Sequence, residues 1–392
     1  MVKYTCLRSG LTYNDDLKRK SDNFIKGLGS LLKEELVLSD LSDYDCDLKL
    51  IFVQTGGSEN TFLQNKDLLK PPYYLLTNGF NNSLAASLEI MTYINSQGLQ
   101  GEILHGSSEY IVSRIKELLV QSKVINGLKE SRFGVLGHPS DWLISSVPQF
   151  ELVKEKLGIT FENISLEEVK TEFNKSVIVD KDKLPGVFSS EEKIKALRTY
   201  NAFKKIAESR KLSGFTVRCF DLLRPLETTG CAGLALLNDE GITSTCEGDI
   251  AALISMHIVR LLTGEPSFQA NPSVIDPDAN TAVLAHCTLP LSMSREFKLD
   301  THFESGTGIA IKGYLSEEDV TVFRLSADLK RFFVSNGRIV RNLEEPDLCR
   351  TQILIKFEED VTELLKHPCG NHHIVFYGHY AKEIRSLMKE ML

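Results

Sequence analysis

Short apolar runs alternate with polar turns and amphipathic segments along the first two thirds of the chain. Strand-like runs at 48–54 and 73–76 each end in a polar, glycine-containing turn, and a segment with helical spacing, 83–97, follows the second run. Further strand-like runs and helical patterns continue this rhythm at 133–137, 142–156, 159–161, 166–174, 191–211 and 214–220. Strands and helices in alternation predict parallel α/β sheets.

Beyond Gly264 the pattern changes to short runs of β-branched and aromatic residues between serine- and glycine-containing turns. These runs lie at 280–287, 308–314, 320–325, 330–334 and 373–377, and a helical pattern closes the chain at 380–391. Such runs predict an antiparallel sheet or barrel. We therefore expect an α/β fold with two Rossmann-like doubly wound domains, residues 1–130 and 131–264, and then a β-rich, barrel-like C-terminal domain, residues 265–392.

Composition narrows the classes of partner. The 392 residues carry 45 basic and 53 acidic side chains, a net charge of −8, which is the wrong sign for nucleic acid as the main partner. We expect no membrane partner and a cytoplasmic location, because the sequence shows no apolar span and no signal-peptide pattern at its beginning. The eight cysteines include no C-x-x-C pair, so we expect them to be reduced and mostly buried.

Three separate segments supply candidate metal ligands. Glu247 lies where a polar loop enters an apolar helical pattern, at the expected carboxyl edge of the second sheet. His286 ends an apolar strand, where a hydrogen-bonded core histidine is the alternative interpretation. His372 and His373 are adjacent, so on a regular strand only one of them faces a common site. Carboxylate oxygen and imidazole nitrogen together suit a divalent cation, whereas Asp249 is expected to be a helix cap.

These segments resemble the L-fucose isomerase and L-arabinose isomerase superfamily. The resemblance rests on Thr245-Cys246-Glu247-Gly248-Asp249, on Leu284-Ala285-His286-Cys287 and on Cys369-Gly370-Asn371-His372-His373, and it covers roughly residues 215 to 380. It implies Mn²⁺ or another divalent cation held by Glu247, His286 and His372, with Glu247 also as the proton-transfer base. It further implies that Asn371 contacts a sugar substrate and that Arg8 reaches the sugar from a neighbouring subunit of a homo-oligomer, a trimer or hexamer.

One position departs from the pattern of that family. The second carboxylate ligand should fall in the segment 268–273, where this sequence has Asn271, which we expect to contact substrate instead. An amide neither accepts a proton nor neutralises the charge of a cation. Asp276, Asp278 and Asp249 are the alternative carboxylates, and His286 is an alternative replacement ligand.

The resemblance predicts a carbohydrate-active enzyme, a metal-dependent isomerase that interconverts an aldose and a ketose through an ene-diol. Two alternatives stay open. The first is a lyase, aldolase or decarboxylase on the same scaffold, in which Asn271 changes the chemistry. The second is a non-catalytic sugar-binding protein, which would be favoured if Glu247 and His372 lay too far apart to share an ion.

Overall fold

A computed structural model describes residues 1–9, 14–178, 180 and 182–392. The chain forms two compact units, Met1–Lys123 and Val124–Leu392, and the boundary falls within one helix. The three-domain division expected from the sequence stays a prediction. None of the helices in the described ranges combines the length and the apolar character needed to cross a bilayer.

The first unit is built on a parallel five-stranded sheet. Its strands are β1 Val2–Leu7, β2 Leu36–Leu38, β3 Leu48–Val53, β4 Tyr73–Leu76 and β5 Gly101–Leu104, and its helices are α1 Asp15–Leu32, α2 Glu59–Asn65, α3 Ser83–Ser96 and α4 Ser108–Lys129, which runs on into the second unit. The strand order is β2-β1-β3-β4-β5, and every pair is parallel. All six residues of β3 are buried, as expected for a strand covered on both faces.

The second unit begins with a parallel four-stranded sheet of order β7-β6-β8-β9. Its strands are β6 Arg132–Leu136, β7 Thr160–Ile164, β8 Gly214–Val217 and β9 Thr243–Thr245, and its helices are α5 Phe150–Leu157, α6 Leu166–Lys175, α7 Ser190–Ser209, α8 Leu223–Leu226, α9 Cys231–Asp239 and α10 Ile250–Thr263. The parallel pairing expected from the alternating pattern is confirmed.

Two elements expected from the sequence of this region are wrong in their bounds. The helix expected from Trp142 begins only at Phe150, and residues 141–149 form turns and irregular backbone. Pro148 explains part of this difference, because a proline disfavours helical geometry at the residue before it. The strand expected to reach residue 220 ends at Val217, and Cys219–Leu222 form a short 3-10 turn.

A closed six-stranded antiparallel barrel follows, in the order β10-β11-β16-β15-β14-β17, which confirms the expected β-rich end of the chain. Its strands are β10 Phe268–Asp276, β11 Thr281–His286, β14 Asp319–Leu325, β15 Phe332–Asn342, β16 Thr351–Phe357 and β17 His373–Tyr377. The remaining elements are the paired strands β12 Ser294–Asp300 and β13 Ala310–Leu315 and the helices α11 Glu363–Lys366 and α12 Ala381–Met391.

The strand β10 brings distant parts of the chain together. It pairs with β17 through Phe268–Ala270 and with β11 through Asn271–Asp276. The carboxyl end of β11 and the amino end of β17 therefore meet beside the middle of β10. Helix α10 is buried from Ile250 to Val259 and contacts both β9 of the sheet and β14 of the barrel. Its amino end consequently lies where sheet and barrel meet.

Candidate metal centre

The loop after β9 holds Glu247 in an unusual backbone conformation. Glu247 has φ +65° and Gly248 has φ +73°, so two consecutive residues are left-handed. The Gly248 amide donates to the carbonyl oxygen of Val217 at 2.9 Å. A Cβ atom at Gly248 would lie 2.6 Å from Cα of Pro139, so the close approach of two backbones requires glycine here.

Three side chains from separate segments converge next to this loop. Oε1 of Glu247 lies 3.5 Å from Nε2 of His372 and 3.8 Å from Nε2 of His286. One ligand atom from each of the three residues falls within 4.8 Å of the others. Both histidines are buried, and the Glu247 side chain is only 13% exposed. The structure thus brings together the three residues that the resemblance implied as metal ligands.

Gln269 on β10 fastens the Glu247 loop to the barrel. Its Oε1 accepts a hydrogen bond from the backbone amide of Cys246 at 2.8 Å, and its Nε2 lies 3.5 Å from the carbonyl oxygen of the same residue. The Gln269 side chain is fully enclosed, with 1% exposure. Because Cys246 directly precedes Glu247, this amide clamp sets where the carboxylate stands relative to the two histidines.

Asp249 supports His372 from the side away from Glu247. Its Oδ2 lies 2.8 Å from Nδ1 of His372, and its Oδ1 accepts from the amide of Ala252 at 2.8 Å and from the guanidinium of Arg324 at 3.1 Å. The helix cap expected at Asp249 is therefore confirmed. The same carboxylate also orients an imidazole, and Arg324, itself 0% exposed, balances its charge.

The electrostatics of the cluster keep the carboxylates ionised. Burial opposes ionisation of Glu247, but the two imidazoles overcome it and hold the pKa of this carboxyl well below its usual range. Burial likewise opposes ionisation of Asp249, and Arg324 and His372 lower its pKa. Burial would lower the pKa of His372, yet the carboxylates of Asp249 and Glu247 raise it to about 9. Burial lowers the pKa of His286.

The residues present fit a divalent cation. With Asp249 ionised, Nδ1 of His372 donates its proton to that carboxylate, and the raised pKa keeps a second proton on Nε2, which a cation would displace in order to bind the Nε2 lone pair. Within the described ranges, this buried Nε2 has no hydrogen-bond partner. Nδ1 of His286 is likewise engaged, at 2.9 Å from the hydroxyl of Thr288. Metal-binding histidines usually hold their second nitrogen in this way, and three protein ligands leave coordination positions open for a substrate.

The expected substrate contacts and the alternative carboxylates lie in different places. Nδ2 of Asn371 lies 3.4 Å from Oδ1 of Asn271, so the two expected substrate contacts touch each other. Asp276 is exposed at the far end of β10 and caps the turn at Ala279. Asp278 is exposed in that turn. Neither carboxylate belongs to the cluster, and among the described residues it contains no second carboxylate ligand.

The remaining expected residues lie apart from the three ligands. His373 packs edge-on against Phe333, at 5.5 Å between ring centroids and 83°, and burial lowers its pKa to about 3. Only one of the two adjacent histidines thus faces the cluster. Arg8 is exposed directly after β1 in the first unit, and its contact with a neighbouring subunit stays a prediction. All eight cysteines are free, and five are buried.

Several residues next to the ligands were not expected from the sequence. The indole N–H of Trp142 donates to Oε2 of Glu247 at 2.8 Å. Phe220 stands edge-on to Trp142, and His302 stands edge-on to Phe220, with ring centroids 5.1 and 5.5 Å apart. Burial and the nearby charge of Glu247 raise the pKa of Glu304. The sequence could not assign these residues to the site, because their contacts join turns and loops that are far apart along the chain.

Comparison with known proteins shows that the chain is similar to several sulfoquinovose isomerases. The one from Clostridium sp. (strain MSTE9) is 26% identical over 304 residues, 71% of this chain and 67% of the relative. The one from Priestia megaterium is 25% identical over 286 residues, 68% of this chain and 64% of the relative. The one from Alkalicoccus urumqiensis is 22% identical over 331 residues, 78% and 74% of the two chains.

The matched segment spans about two thirds of the length of the first two of these relatives. No protein-family model matches the chain.

Proposed function

We propose that this chain is a sugar isomerase that uses a divalent cation to interconvert an aldose and a ketose. The observation that carries the proposal is the convergence of Glu247, His286 and His372 in one buried cluster. The similarity to proteins named sulfoquinovose isomerase supports the reaction class from a separate direction. We take sulfoquinovose as the first substrate to test and Mn²⁺ as the first ion.

The roles of the ligands follow from their geometry. Oε1 of Glu247 and the Nε2 atoms of His286 and His372 would hold the ion, and Asp249 would keep the Nδ1 proton of His372 in place. When bound, the cation polarises oxygens on neighbouring carbons of the sugar and so acidifies the hydrogen that must move. Asn371 and its neighbour Asn271 present amides that suit sugar hydroxyls.

Glu247 is also the proposed base. Its lowered pKa keeps the carboxylate ionised, which is the form that accepts a proton, although a low pKa also makes it a weak base. A proton accepted by Oε2 from one carbon and returned to the neighbouring carbon, together with transfer of the hydroxyl proton from one sugar oxygen to the other, would complete the isomerisation. The indole N–H of Trp142 already lies on Oε2, so the sugar must enter beside or displace this contact.

A different reaction on the same scaffold has one observation in its favour. Asn271 stands where the family has a second carboxylate, and the described cluster offers no substitute for it. Loss of one negative charge leaves the cation more electrophilic, which also suits cleavage of a carbon–carbon bond next to a carbonyl group. We therefore keep a lyase or aldolase as the competing enzyme.

The test is a substrate assay with matched metal states. Purified chain is stripped with a chelator, reloaded with Mn²⁺ and incubated with sulfoquinovose and a panel of unsulfonated aldoses and ketoses, and the products are followed by NMR. We expect interconversion of an aldose and a ketose only in the reloaded protein, and no interconversion in Glu247→Gln or His372→Asn. The surface variant Asp319→Asn should show normal turnover, because this side chain is 44% exposed. Shorter carbon chains among the products would favour the lyase, and turnover unaffected by stripping would contradict the proposal.

Further properties belong to this proposal. The strand order β2-β1-β3-β4-β5 supports a doubly wound, Rossmann-like organisation of the first sheet. We also propose a homo-oligomer in the cytoplasm with a sugar as its ligand and with neither nucleic acid nor membrane as a partner. Size-exclusion chromatography with light scattering measures the expected trimer or hexamer.

A further inference from the structure

Trp142 is the single tryptophan of the chain, and it contacts the candidate metal centre directly. Its indole N–H donates to Oε2 of Glu247 at 2.8 Å, while the side chain of this glutamate is only 13% exposed. Trp142 itself is 51% exposed. A half-exposed ring therefore holds one oxygen of a largely enclosed carboxylate.

The segment that carries Trp142 is fixed from both sides. The guanidinium of Arg218 binds both carboxylate oxygens of Asp141, the preceding residue, at 3.2 and 2.9 Å, and it also donates to the carbonyl oxygen of Pro139 at 2.7 Å. The amide of Ser140 donates to the carbonyl oxygen of Glu247 at 3.0 Å. The Arg218 side chain is only 10% exposed and its bidentate geometry is specific, so it holds the segment over the Glu247 loop although the Asp141 side chain is 81% exposed.

The two oxygens of the Glu247 carboxylate consequently have different surroundings. Oε2 accepts the indole proton, and Oε1 faces Nε2 of both His286 and His372 at 3.8 and 3.5 Å. A free carboxylate rotates about its last side-chain bond, and that rotation exchanges the two oxygens at little cost. A donor on one of them selects a single orientation.

We propose that Trp142 is a positioning residue that presents Oε1 of Glu247 to the cation. This inference rests on the proposed function, since it assigns the orientation of one ligand of the same centre. The ring of Trp142 packs edge-on against Phe220, at 5.1 Å between centroids and 88°, so a phenylalanine at this position keeps an aromatic ring beside Phe220 while it removes the N–H donor together with part of the indole. Trp142→Phe is therefore the informative substitution.

A second consequence is spectroscopic. The indole bonds to a carboxylate that would become a metal ligand, so ion binding changes the charge next to the ring. With one tryptophan in the chain, all tryptophan emission comes from this position. Addition of Mn²⁺ to the stripped wild-type protein should shift or quench that emission and saturate at one ion per chain.

The experiment compares Mn²⁺ affinity, measured by calorimetry, with tryptophan fluorescence in the full chain. We expect Trp142→Phe to bind Mn²⁺ about tenfold more weakly, as is typical when a partner that orients a ligand is lost. The matched control is Tyr110→Phe in the first unit, which changes another exposed aromatic residue, 57% exposed, and should bind as the wild type does. Circular dichroism checks that Trp142→Phe is folded.

The outcomes separate the positioning role from the proposed function. Wild-type affinity in a folded Trp142→Phe protein, or unchanged emission of the wild type at saturating Mn²⁺, would overturn the role of Trp142 and leave the metal site standing. Absence of stoichiometric Mn²⁺ from the wild type would overturn both. Glu247→Ala supplies a readout that needs no metal, because loss of the acceptor should alter the emission of Trp142 in the stripped protein, and identical emission would contradict the bond itself.

Discussion

Replacement of Asp249 by asparagine should damage both the stability of the second unit and its metal site. Asparagine keeps an oxygen that can accept the Ala252 amide, and it is a good helix cap, so the start of α10 is preserved. The lost charge faces Arg324 at 3.1 Å, and both side chains are 0% exposed. Removal of one member of a fully buried ion pair typically costs about 3–5 kcal/mol, because the other charge stays buried without a counter-charge.

The same substitution should also move a proton on His372. The asparagine oxygen is engaged by Ala252 and Arg324, so its NH₂ group takes the place of Oδ2, which lies 2.8 Å from Nδ1 of His372. An NH₂ group at that position needs an acceptor, and Nδ1 can accept only when the proton sits on Nε2. In the variant this is the only proton on the ring, so a cation could displace it only by leaving an imidazolate. We expect a 10–100-fold loss of Mn²⁺ affinity.

Urea denaturation followed by tryptophan fluorescence measures the stability term, since Trp142 reports on the second unit alone. Calorimetry with Mn²⁺ measures the loss of Mn²⁺ affinity. Asp319→Asn is the matched control, because its ion pair with Arg338 at 2.9 Å is solvent-exposed and should leave the urea midpoint unchanged. A loss of stability below about 1 kcal/mol in Asp249→Asn would refute the assigned burial of the pair.

Three further substitutions test parts of the same framework. Gln269→Ala should lower the free energy of unfolding by about 1–3 kcal/mol, because it leaves the buried amide of Cys246 without its acceptor. It should also weaken Mn²⁺ binding. Gly248→Ala should lower the free energy of unfolding by roughly 3 kcal/mol or more, because the residue is left-handed and its new Cβ would lie 2.6 Å from a backbone atom. Gly264→Ala is the control, since a Cβ there meets nothing within 4 Å, and it should lower the free energy of unfolding by only about 1–2 kcal/mol. His257→Asn should make the free energy of unfolding less dependent on pH below pH 6.5, because burial lowers the pKa of His257 to about 4 in the folded wild type.

The sign of the His257 effect follows from proton uptake. Between pH 6.5 and about 4 the unfolded chain binds a proton that the folded chain refuses, so wild-type stability falls as the pH falls, by up to about 3 kcal/mol. Urea midpoints from pH 4 to 8 measure this loss of stability, and an equal dependence of the midpoint on pH in wild type and variant would contradict the prediction.

Equal losses of stability in the two glycine variants would refute the close approach at Gly248. Unchanged Mn²⁺ affinity in Gln269→Ala would show that the clamp does not position Glu247.

Much of the fold was predictable from the sequence because local patterns carry it. The buried run of β3 and the helical spacing of α3 match the structure almost to the residue, and the β-rich end of the chain closes into the expected barrel. The helix predicted to begin at Trp142 is wrong because the apolar residues of this segment happen to have helical spacing. Tertiary contacts, such as the grip of Arg218 on Asp141, hold it in turns instead.

The candidate site was predictable only as a set of residue types. Glu247, His286 and His372 could be named from their segments, but their meeting depends on the register by which β10 pairs with both β11 and β17. Asp249 shows a second limit. Its position predicts a helix cap, which it is, yet its bond to His372 joins residues 123 positions apart and leaves no local signal.

The central claim is that Glu247, His286 and His372 share one divalent cation, and ion stoichiometry tests it most directly. Metal-stripped protein is titrated with Mn²⁺, and free Mn²⁺ is counted by electron paramagnetic resonance in the wild type, in Glu247→Gln, in His286→Asn, in His372→Asn and in the control Asp319→Asn. We expect one tightly bound Mn²⁺ per chain in the wild type and the control and at least a tenfold loss of affinity in each of the three ligand variants. Wild-type binding retained in all three variants, or no tight binding in the wild type, would contradict the claim.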